Sequence, residues 1–535
     1  MPHEPRGSAR TRLLRSARAL TPRRLLTLLR RERPPGPARE QPRPLRRSPD
    51  VTLVMVPRWG VERPPLNLAY LARYLREAGL RVAVRDFNVE AHKCLEGTDL
   101  QRLWTIDTEE QGDPLHVHRR LHEQLGTPLD RLVEELLSSD SPVIGFSSNV
   151  GNMTFVRHIA SRVASEAPKR LLVMGGPDVH RIFRQGELHH FPVHYHVLGE
   201  GEETLLELAR RHLAGRSTAG VPGTLPGGLL LEGSDPEDLP QTFVPRAPIP
   251  DLDAIPFPNY AQIDLSFYSS PEMPFLFSRG CLAACSFCAD CLLQPSFRCR
   301  SGEHAVAEIE HHLKHYQRHI FNFNDLICNG DVPRLRRLCE LIRRRRLDIA
   351  WSSYALVRSE MTADLFQLMH ASGCNDLHFG LESGSDRVLS RMGKPFPVDL
   401  AERVIQDAAR TGIRVSVNVV VGFPGETDED VQATLYLLSR NQGAIYRVLN
   451  LSALTLMPGS RLWRRSTNYE IHGGPLGWVD GDGRDTADRL QSLERVRQHI
   501  ESLGIPLAII NRGPTSPSDP QSDGASGEPL PVTAH

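Results

Sequence analysis

The run Phe277-Ser278-Arg279-Gly280-Cys281-Leu282-Ala283-Ala284-Cys285-Ser286-Phe287-Cys288 places three cysteines at the spacing Cys-x3-Cys-x2-Cys. Thiolate sulfur is the usual protein ligand of iron–sulfur clusters. Three thiolates this close together can hold three irons of a four-iron cluster and leave the fourth iron open to a substrate. A simple electron carrier would normally fill that position with a fourth cysteine, so the run indicates an enzyme.

Two other interpretations of this run stay open. Cys291 adds a fourth thiol, and four thiols can hold a structural zinc ion. Such zinc sites usually take paired ligands from two separated knuckles, whereas these four cysteines lie within eleven residues. The thiols could also bind nothing, although three at this spacing among only 9 cysteines is a rare chance pattern. The pattern assigns no role to Cys291 or Cys299.

Length and composition bound the class of protein. A chain of 535 residues is too long for one ordinary core and predicts two or three domains. Lysine plus arginine and aspartate plus glutamate both number 64, which argues against a general nucleic-acid binder. No stretch reaches the roughly 18 apolar residues of a transmembrane helix. The cysteines cluster and do not form a spaced disulfide framework, so we expect a cytoplasmic protein.

Both ends of the chain are expected to be disordered tails. Residues 1–49 are rich in arginine and proline, and residues 511–535 have a similarly loop-forming composition. Residues 13–31 could form a basic amphipathic helix that touches an anionic membrane, with its apolar positions at Leu14, Leu25, Leu28 and Leu29. We favour a solvated basic tail over that membrane contact.

Residues 50–215 alternate strands and helices. The predicted strands are Val51–Val56, Arg81–Val84, Pro142–Ser147, Leu171–Met174 and Tyr195–Leu198. The predicted helices are Leu66–Glu77, Val156–Glu166 and Glu203–Leu213. Continuous apolar strands that alternate with helices predict an α/β domain with a doubly wound parallel sheet. Such sheets bind ligands at the carboxyl ends of their strands.

The loops at those carboxyl ends are rich in small and polar residues. Glycine lets a backbone approach a ligand closely, so several such loops along one sheet edge predict a large, flat ligand. For any single loop, ordinary turn chemistry is a sufficient explanation. The candidate ligand-binding residues are Trp59, Asn67, Ser147, Ser148, Gly175, Gly176, Gly199 and Glu200.

After a Pro- and Gly-rich linker at residues 216–270, the alternation resumes over residues 271–465. The predicted strands are Met273–Ser278, Ile320–Phe323, Ile349–Ser352, Asp376–Leu381, Val415–Val421 and Val448–Leu456. Six strand–helix units predict a partial (β/α)6 barrel, in which chemistry takes place at the carboxyl ends of the strands. The cysteine run follows the first of these strands. Residues 466–510 are predicted to be an extension that lines the substrate pocket together with Trp463, and we expect Trp478 and residues 473–483 to contribute.

Arg279, Gly280 and the three cysteines resemble the signature of radical S-adenosylmethionine (SAM) enzymes. The upstream region resembles the Rossmann-like cobalamin-binding domain that is fused to many of them. Over about residues 50–465 the chain therefore resembles the cobalamin-dependent radical SAM family. This resemblance implies a [4Fe-4S] cluster on Cys281, Cys285 and Cys288, S-adenosylmethionine on its open iron, and cobalamin in the first domain.

The same resemblance implies further cofactor-binding residues. Asn324 and Asp325 correspond to an acidic turn after the second strand, near the methionine end of S-adenosylmethionine, with Asn324 in place of a common acid. The ribose and amino-acid part is expected near a carboxylate-bearing turn. Each position could also be a plain strand-to-helix turn. The remaining candidates are Phe287, before the last cysteine, the turn residues Gly380, Glu382 and Ser383, and Gly422 and Pro424 near the adenine.

Some family features are missing. The first loop has no Asp-x-His-x-x-Gly motif, which holds cobalt through histidine in many cobalamin proteins, and the string Asp178-Val179-His180 lacks the glycine. Many radical members also lack that motif. Only Cys94 precedes the cysteine run, which argues against a methylthiotransferase. No cysteine follows Cys374, so auxiliary clusters near the C-terminus are not expected.

The reaction that the resemblance implies is methylation of an unactivated carbon of a small molecule. A 5′-deoxyadenosyl radical would remove a hydrogen atom, methylcobalamin would donate the methyl group, and a second S-adenosylmethionine would restore it. A one-electron reductant such as flavodoxin or ferredoxin is implied as a partner. Two alternatives stay open: a radical cyclase or oxidoreductase without net methyl transfer, and a non-catalytic metal- or cobalamin-binding protein.

Overall fold

The computed structural model describes residues 48–104, 114–149, 151–177, 179, 191–227, 243–290, 294, 296–474 and 477–512. The predictions for the N-terminal tail, for the basic helix at residues 13–31 and for most of the C-terminal tail lie outside this range. Cys291 also lies outside it, as do residues 178 and 180 of the string at residues 178–180. Among the described residues, no helix is both long and apolar enough to cross a membrane.

The first sheet is built from residues 51–226. Its strands are β1 (Val51–Met55), β2 (Val82–Asp86), β3 (Val143–Ser147), β4 (Leu171–Gly175), β5 (Tyr195–Val197) and β6 (Thr224–Pro226). They lie in the order β2-β1-β3-β4-β5-β6, and all neighbours are parallel except β5 and β6. Every residue of β1 and β3 is buried, which explains their uninterrupted apolar sequences.

Five helices accompany these strands in the described part of the chain. They are α1 (Leu66–Glu77), α2 (Phe87–Cys94), α3 (Pro114–Ser138), α4 (Met153–Glu166) and α5 (Gly201–Leu213). Sequence patterns predicted α1, α4 and α5 but not α2 or α3. Helix α3 contains Pro128, which lacks an N–H donor and normally signals a break. The strand order reverses beside β1, which has β2 on one side and β3 on the other. Open parallel sheets have a ligand crevice at such a point.

The second sheet is entirely parallel. Its order is β17-β14-β13-β12-β11-β10-β7, from strands β7 (Glu272–Phe275), β10 (Ile320–Phe323), β11 (Ala350–Ala355), β12 (Cys374–Glu382), β13 (Arg414–Val421), β14 (Ile445–Ala453) and β17 (Leu507–Asn511). Six of these strands were predicted. The seventh, β17, lies where an extension and a tail were expected, so the six-stranded prediction is wrong by one strand. This edge strand is short and largely exposed, which weakens its signal.

Helices follow the strands of the second sheet in sequence. They are α6 (Gly302–Tyr316), α7 (Val332–Arg344), α8 (Ala363–Ala371), α9 (Asp386–Met392), α10 (Val398–Arg410), α11 (Asp428–Arg440), the single turn α12 (Arg461–Arg464) and α13 (Thr486–Ser502). Side chains of Ser301, Asp331 and Thr362 accept hydrogen bonds from first-turn amides and so fix three helix starts. The described strands also form two short antiparallel pairs: β8 (Ser278–Arg279) with β9 (Arg298–Cys299), and β15 (His472–Gly474) with β16 (Gly477–Val479).

A substitution in the turn from α8 into β12 tests the backbone packing at the start of this strand of the second sheet. Gly373 has a φ of +102°, and an added Cβ would lie 2.2 Å from the Ile349 carbonyl oxygen. Gly373→Ala is therefore expected to lower the free energy of unfolding by about 1–3 kcal/mol. Urea unfolding followed by circular dichroism measures the change. Gly443→Ala is the matched control, because among the described residues no non-neighbouring atom lies within 4 Å of its Cβ. Equal urea midpoints for the two variants would contradict the strain assigned to Gly373.

Candidate active site

The cysteine loop, residues 280–288, leaves the second sheet through the short strand β8. Gly280 has a φ of +85°, and a Cβ there would lie 2.2 Å from the Ser296 carbonyl oxygen, so only glycine fits. The loop is fixed near its end by Ser286, whose N–H donates to the Met392 carbonyl (2.7 Å) and whose carbonyl accepts from Leu462 N–H (2.7 Å). The loop is thus anchored at its entry and near its end.

The three predicted cluster ligands, Cys281, Cys285 and Cys288, are half-buried on this loop and form no disulfide bond with any described residue. Burial raises the pKa of Cys285, and the nearby Lys394 ammonium opposes that rise. Within the described residues, no three His, Cys, Asp or Glu side chains are grouped closely enough to hold one metal ion. Cys299 is buried, and burial raises the pKa of its thiol to about 12.

Lys394 was not predicted from the sequence, yet it joins two parts of the candidate site. Its ammonium donates to Glu382 Oε1 (2.8 Å) and to the Gly380 carbonyl (3.1 Å). It also lies 5.7 Å from the ring centre of Phe287, next to Cys288. Burial lowers the pKa of Lys394, but the carboxylate of Glu382 and the thiol of Cys285 raise it to above its ordinary value. No motif surrounds Lys394, so only the fold could reveal this role.

The end of β12 bends so that Glu382 reaches Lys394. The register with β13 slips between Gly380 and Glu382, and Glu382 has a φ of +65°. A Cβ at Gly380 would lie 2.4 Å from Glu382 Oε1, so glycine leaves the room that this carboxylate occupies. The neighbouring Ser383 is buried, and its hydroxyl lies 3.3 Å from the Oγ1 of Thr434 on helix α11.

Asp325 fastens the strand that leads into the cysteine loop. Its Oδ1 accepts hydrogen bonds from the N–H groups of Phe277 (2.9 Å) and Ser278 (3.0 Å). Burial raises the pKa of Asp325 to about 7, although the bonds from Ser278 and Phe277 lower it. The preceding Asn324 lines a large cavity. The two residues of this turn therefore face different parts of the site.

The predicted turn at Gly422 and Pro424 packs against the C-terminal helix α13. Gly422 has a φ of +77°, and a Cβ there would meet the side chain of Arg489. The Arg489 guanidinium lies 3.6 Å from the ring centre of Trp478, which is only 3 % exposed within an apolar cluster. The expectation that Trp478 lines a substrate pocket is therefore wrong, because the ring packs into a core. Trp463 packs partly buried against the same cluster.

A cavity of about 720 Å³ lies at the carboxyl edge of the first sheet. All eight N-terminal candidates line it: Trp59, Asn67, Ser147, Ser148, Gly175, Gly176, Gly199 and Glu200. Pro274, Leu276, Arg279 and Asn324 of the second sheet and its loops also contribute to the wall. Gly176 has a φ of +127°, and a Cβ there would lie 2.3 Å from the Ser148 carbonyl oxygen, so glycine is required.

Glu200 also has a structural role that sequence reasoning missed. Its carboxylate contacts Arg279 (3.2 Å) and Arg298 (2.7 Å), and its Oε2 accepts from Ile249 N–H (2.8 Å). Burial raises the pKa of Glu200, but Arg298 and Arg279 lower it to below its ordinary value. Glu202 pairs with the same Arg279 guanidinium. These ion pairs fix the entry of the cysteine loop to the cavity wall.

Comparison with known proteins agrees with this geometry. Residues 275–438 match the model of the radical SAM superfamily. The chain is 27 % identical over 411 residues to an uncharacterized methyltransferase of Pyrococcus horikoshii, covering 76 % of this chain and 78 % of that protein. It is 26 % identical over 409 residues to the cytidylyl-2-hydroxyethylphosphonate methyltransferase of Streptomyces wedmorensis, covering 69 % and 72 %.

Two solved structures resemble this chain in fold over about four fifths of its length. The radical S-adenosylmethionine methyltransferase TsrM from Kitasatospora setae, solved with cobalamin and a [4Fe-4S] cluster, matches with a TM-score of 0.60 at 19 % identity over 80 % of each chain. The cobalamin-dependent enzyme OxsB, with aqua-cobalamin, matches with a TM-score of 0.58 at 18 % identity over 79 % of this chain and 56 % of OxsB. Residues 275–438 are therefore a radical S-adenosylmethionine domain, and the chain as a whole has the fold of these two solved structures.

Proposed function

We propose that this protein is a cobalamin-dependent radical S-adenosylmethionine enzyme that methylates an unactivated carbon of a small molecule. One observation carries the proposal: the large cavity of the first sheet and the start of the cysteine loop share a wall at Leu276 and Arg279. A methyl carrier in the cavity would thus lie beside a radical-generating cluster. The names of the two methyltransferases similar to this chain support methyl transfer as the outcome.

The cysteine loop suits a cluster with one open iron. Cys281, Cys285 and Cys288 are half-buried, so they could hold irons that are partly shielded from solvent. Metal binding deprotonates thiols, and the Lys394 ammonium favours the thiolate form of Cys285. The hydrogen bonds of Ser286 hold the loop without using any of the three thiols. We assign Cys281, Cys285 and Cys288 as the ligands.

We propose that residues 50–215 form a Rossmann-like domain and that the first sheet binds cobalamin. Gly175, Gly176 and Gly199 let the backbone lie close to a flat ring. Among the described residues, Ser148 Oγ and Asn149 Nδ2 are buried without hydrogen-bond partners, and Ser148 lines the cavity. A buried polar atom of this kind normally has a partner, which a ligand would supply.

The turn residues at the end of β12 suit S-adenosylmethionine. Glu382 and Lys394 present a carboxylate and an ammonium near Cys285, which complement the amino and carboxylate groups of a bound methionine moiety. When bound, the cluster and S-adenosylmethionine would supply the 5′-deoxyadenosyl radical, and methylcobalamin the methyl group. The residues of this chain position those groups and exclude water. A one-electron reductant such as flavodoxin or ferredoxin completes the proposal.

Product analysis tests the reaction type. The anaerobically reconstituted protein, supplied with cobalamin, S-adenosylmethionine and dithionite, is expected to form 5′-deoxyadenosine. With its substrate present, each methyl transferred should yield one 5′-deoxyadenosine and one S-adenosylhomocysteine. Deoxyadenosine and a modified but unmethylated product would instead identify a cyclase or oxidoreductase. A reconstituted protein that binds both cofactors but never cleaves S-adenosylmethionine would be a binding protein only.

Replacing Cys285 by alanine is expected to abolish the [4Fe-4S] absorbance and all 5′-deoxyadenosine formation, because two thiolates cannot hold the cluster in place of three. Iron analysis and chromatography measure both effects. Cobalamin retention should be unchanged, since the first sheet supplies most of that cavity. Cys94→Ala, which removes an exposed cysteine outside the loop, is the control. Continued deoxyadenosine formation by Cys285→Ala would show that the ligand assignment is wrong.

Replacing Gly176 by alanine is expected to lower cobalamin affinity at least about ten-fold, because its Cβ would displace the Ser148 backbone at the cavity wall. Cobalamin retained after gel filtration, measured by its visible absorbance, reports the loss. Gly126→Ala, on helix α3, is the control, since among the described residues no non-neighbouring atom lies within 4 Å of its Cβ and it is not one of the residues that line the cavity. Iron content should match the wild type in both variants. Equal cobalamin retention in the two would place the corrin elsewhere.

A further inference from the structure

The inner face of the second sheet is polar where a barrel interior is usually packed. In β12 and β13, one set of alternating residues is apolar and buried: Leu377, Phe379, Leu381, Val415, Val417, Val419 and Val421. Side chains alternate across a strand, so Asp376 and His378 of β12 and Ser416 and Asn418 of β13 face the other way. Barrel interiors are usually filled by bulky branched side chains. This inner face instead carries hydrogen-bonding groups.

The strand registers arrange these groups in rows across the sheet. One row joins Tyr354, His378, Ser416 and Arg447 on four neighbouring strands. The next row toward the carboxyl edge joins Gly380, Asn418 and Asn450. Asn418 and Asn450 are half-buried, and Tyr354 is 38 % exposed, so the face is open and not packed shut.

Positive charge exceeds negative charge where the first of these rows meets Asp376 and Arg414, which lie two residues earlier on β12 and β13. The Asp376 carboxylate accepts from Arg447 (3.1 Å) and lies 3.7 Å from Arg414, so two guanidinium groups share one carboxylate. The Asp376 side chain is only 3 % exposed, whereas that of Arg447 keeps 24 % exposure. The charge that a ligand could reach is therefore that of Arg447. Guanidinium groups bind carboxylate and phosphate groups strongly.

The second row leads to the candidate cofactor turn. A Cβ added to Gly380 would point at Glu382 Oε1 (2.4 Å) and Lys394 Nζ (2.9 Å), so this row ends beside that ion pair. Among the described residues, Asn450 Oδ1 is buried without a hydrogen-bond partner. Two residues along a strand span about 7 Å, which sets the separation of the two rows.

The inner face also meets the first domain. Arg63, in the loop after β1, donates to Asn322 Oδ1 on β10 (2.7 Å) and pairs with Glu272 of β7 (3.1 Å). The same Arg63 lines the large cavity of the first sheet. The part of the inner face on β7 and β10 therefore adjoins the wall of that cavity.

We propose that this inner face is the substrate site, and that the substrate is a small polar molecule with a carboxylate or phosphate group held by Arg447. The substrate also carries hydroxyl, amine or amide groups about 7 Å from that anion, and these groups contact Asn418 and Asn450. The reacting carbon lies toward Gly380. This inference rests on the function proposed above and adds the chemical class of the substrate.

Pairs of anionic and neutral probe molecules test the proposed chemical class of the substrate. Ligand-observed NMR on the reconstituted full-length protein would compare gluconate with glucose, glycerol 3-phosphate with glycerol, and indole as an apolar probe. At least one anionic probe is expected to bind about ten-fold or more tightly than its neutral partner, and the two pairs distinguish carboxylate from phosphate. Preferential binding of indole, or no preference for either anion, would overturn the proposal.

The Arg447→Gln variant tests whether Arg447 is the residue that binds the anion. It should abolish the preference for the anionic probe, whereas Arg410→Gln, at a side chain 68 % exposed on helix α10, should retain it. Asn450→Leu is a second variant in case Arg447→Gln fails to fold. It keeps the charge of Arg447 and should weaken the binding of every polar probe. An unchanged anion preference in folded Arg447→Gln, or unchanged polar binding in Asn450→Leu where Arg447→Gln does not fold, would overturn the proposal.

Deoxyadenosine formation without substrate separates this inference from the proposed function. The wild-type protein should form 5′-deoxyadenosine with dithionite whatever its substrate, because that reaction needs only the cluster and S-adenosylmethionine. If it does so and folded Arg447→Gln keeps the anion preference, the substrate class alone is wrong. If the wild-type protein forms no deoxyadenosine, the proposed function itself fails.

Discussion

The buried ion pairs of Arg279 with Glu200 and Glu202 hold the two halves of the site together. Arg279 directly precedes Gly280 and the first cysteine, while both glutamates follow the last parallel strand of the first sheet. All three side chains are nearly inaccessible to solvent. Removing one member would leave a buried charge unpaired, which is strongly destabilising. This contact therefore sets the distance from the cavity to the cysteine loop.

Other contacts reinforce the same junction. Arg298, on the strand paired with Arg279, donates to both carboxylate oxygens of Glu200 and to the carbonyl of Ile249 in the linker. Further away, Tyr70 of the first domain donates to Glu308, which also binds Arg300 within a buried group. Polar contacts of this kind fix register and orientation more than they add stability. For a reaction in which a radical and a methyl donor must meet one substrate, fixed orientation is what the protein contributes.

Local patterns in the sequence identified most strands, since parallel buried strands are short apolar runs bounded by turn residues. The same logic found all eight cavity-lining candidates, because carboxyl-end loops of one sheet necessarily meet at one edge. Helix α3 was missed because Pro128 is a local break signal that tertiary packing overrides. Strand β17 was missed because an exposed edge strand has weak apolar periodicity.

Residues whose role depends on distant partners could not be predicted. Lys394 has no local motif, and its meeting with Glu382 depends on the register slip at the end of β12. Glu200 was expected to face a ligand, and its loop does line the cavity, but its carboxylate is also bound by arginines about 80 and 100 residues away. Trp478 was expected at a pocket because of its position in the chain, whereas Arg489 and an apolar cluster bury it. In each case the deciding contact is long-range.

Electron paramagnetic resonance of the anaerobically reconstituted, dithionite-reduced protein tests the central claim most directly. Two signals are expected in one sample: a reduced [4Fe-4S] cluster that changes on addition of S-adenosylmethionine, and a cob(II)alamin signal before full reduction. The change on addition would show the open iron that three cysteine ligands imply. A protein that takes up stoichiometric zinc and no iron, or a cluster that is indifferent to S-adenosylmethionine, would contradict the proposed site.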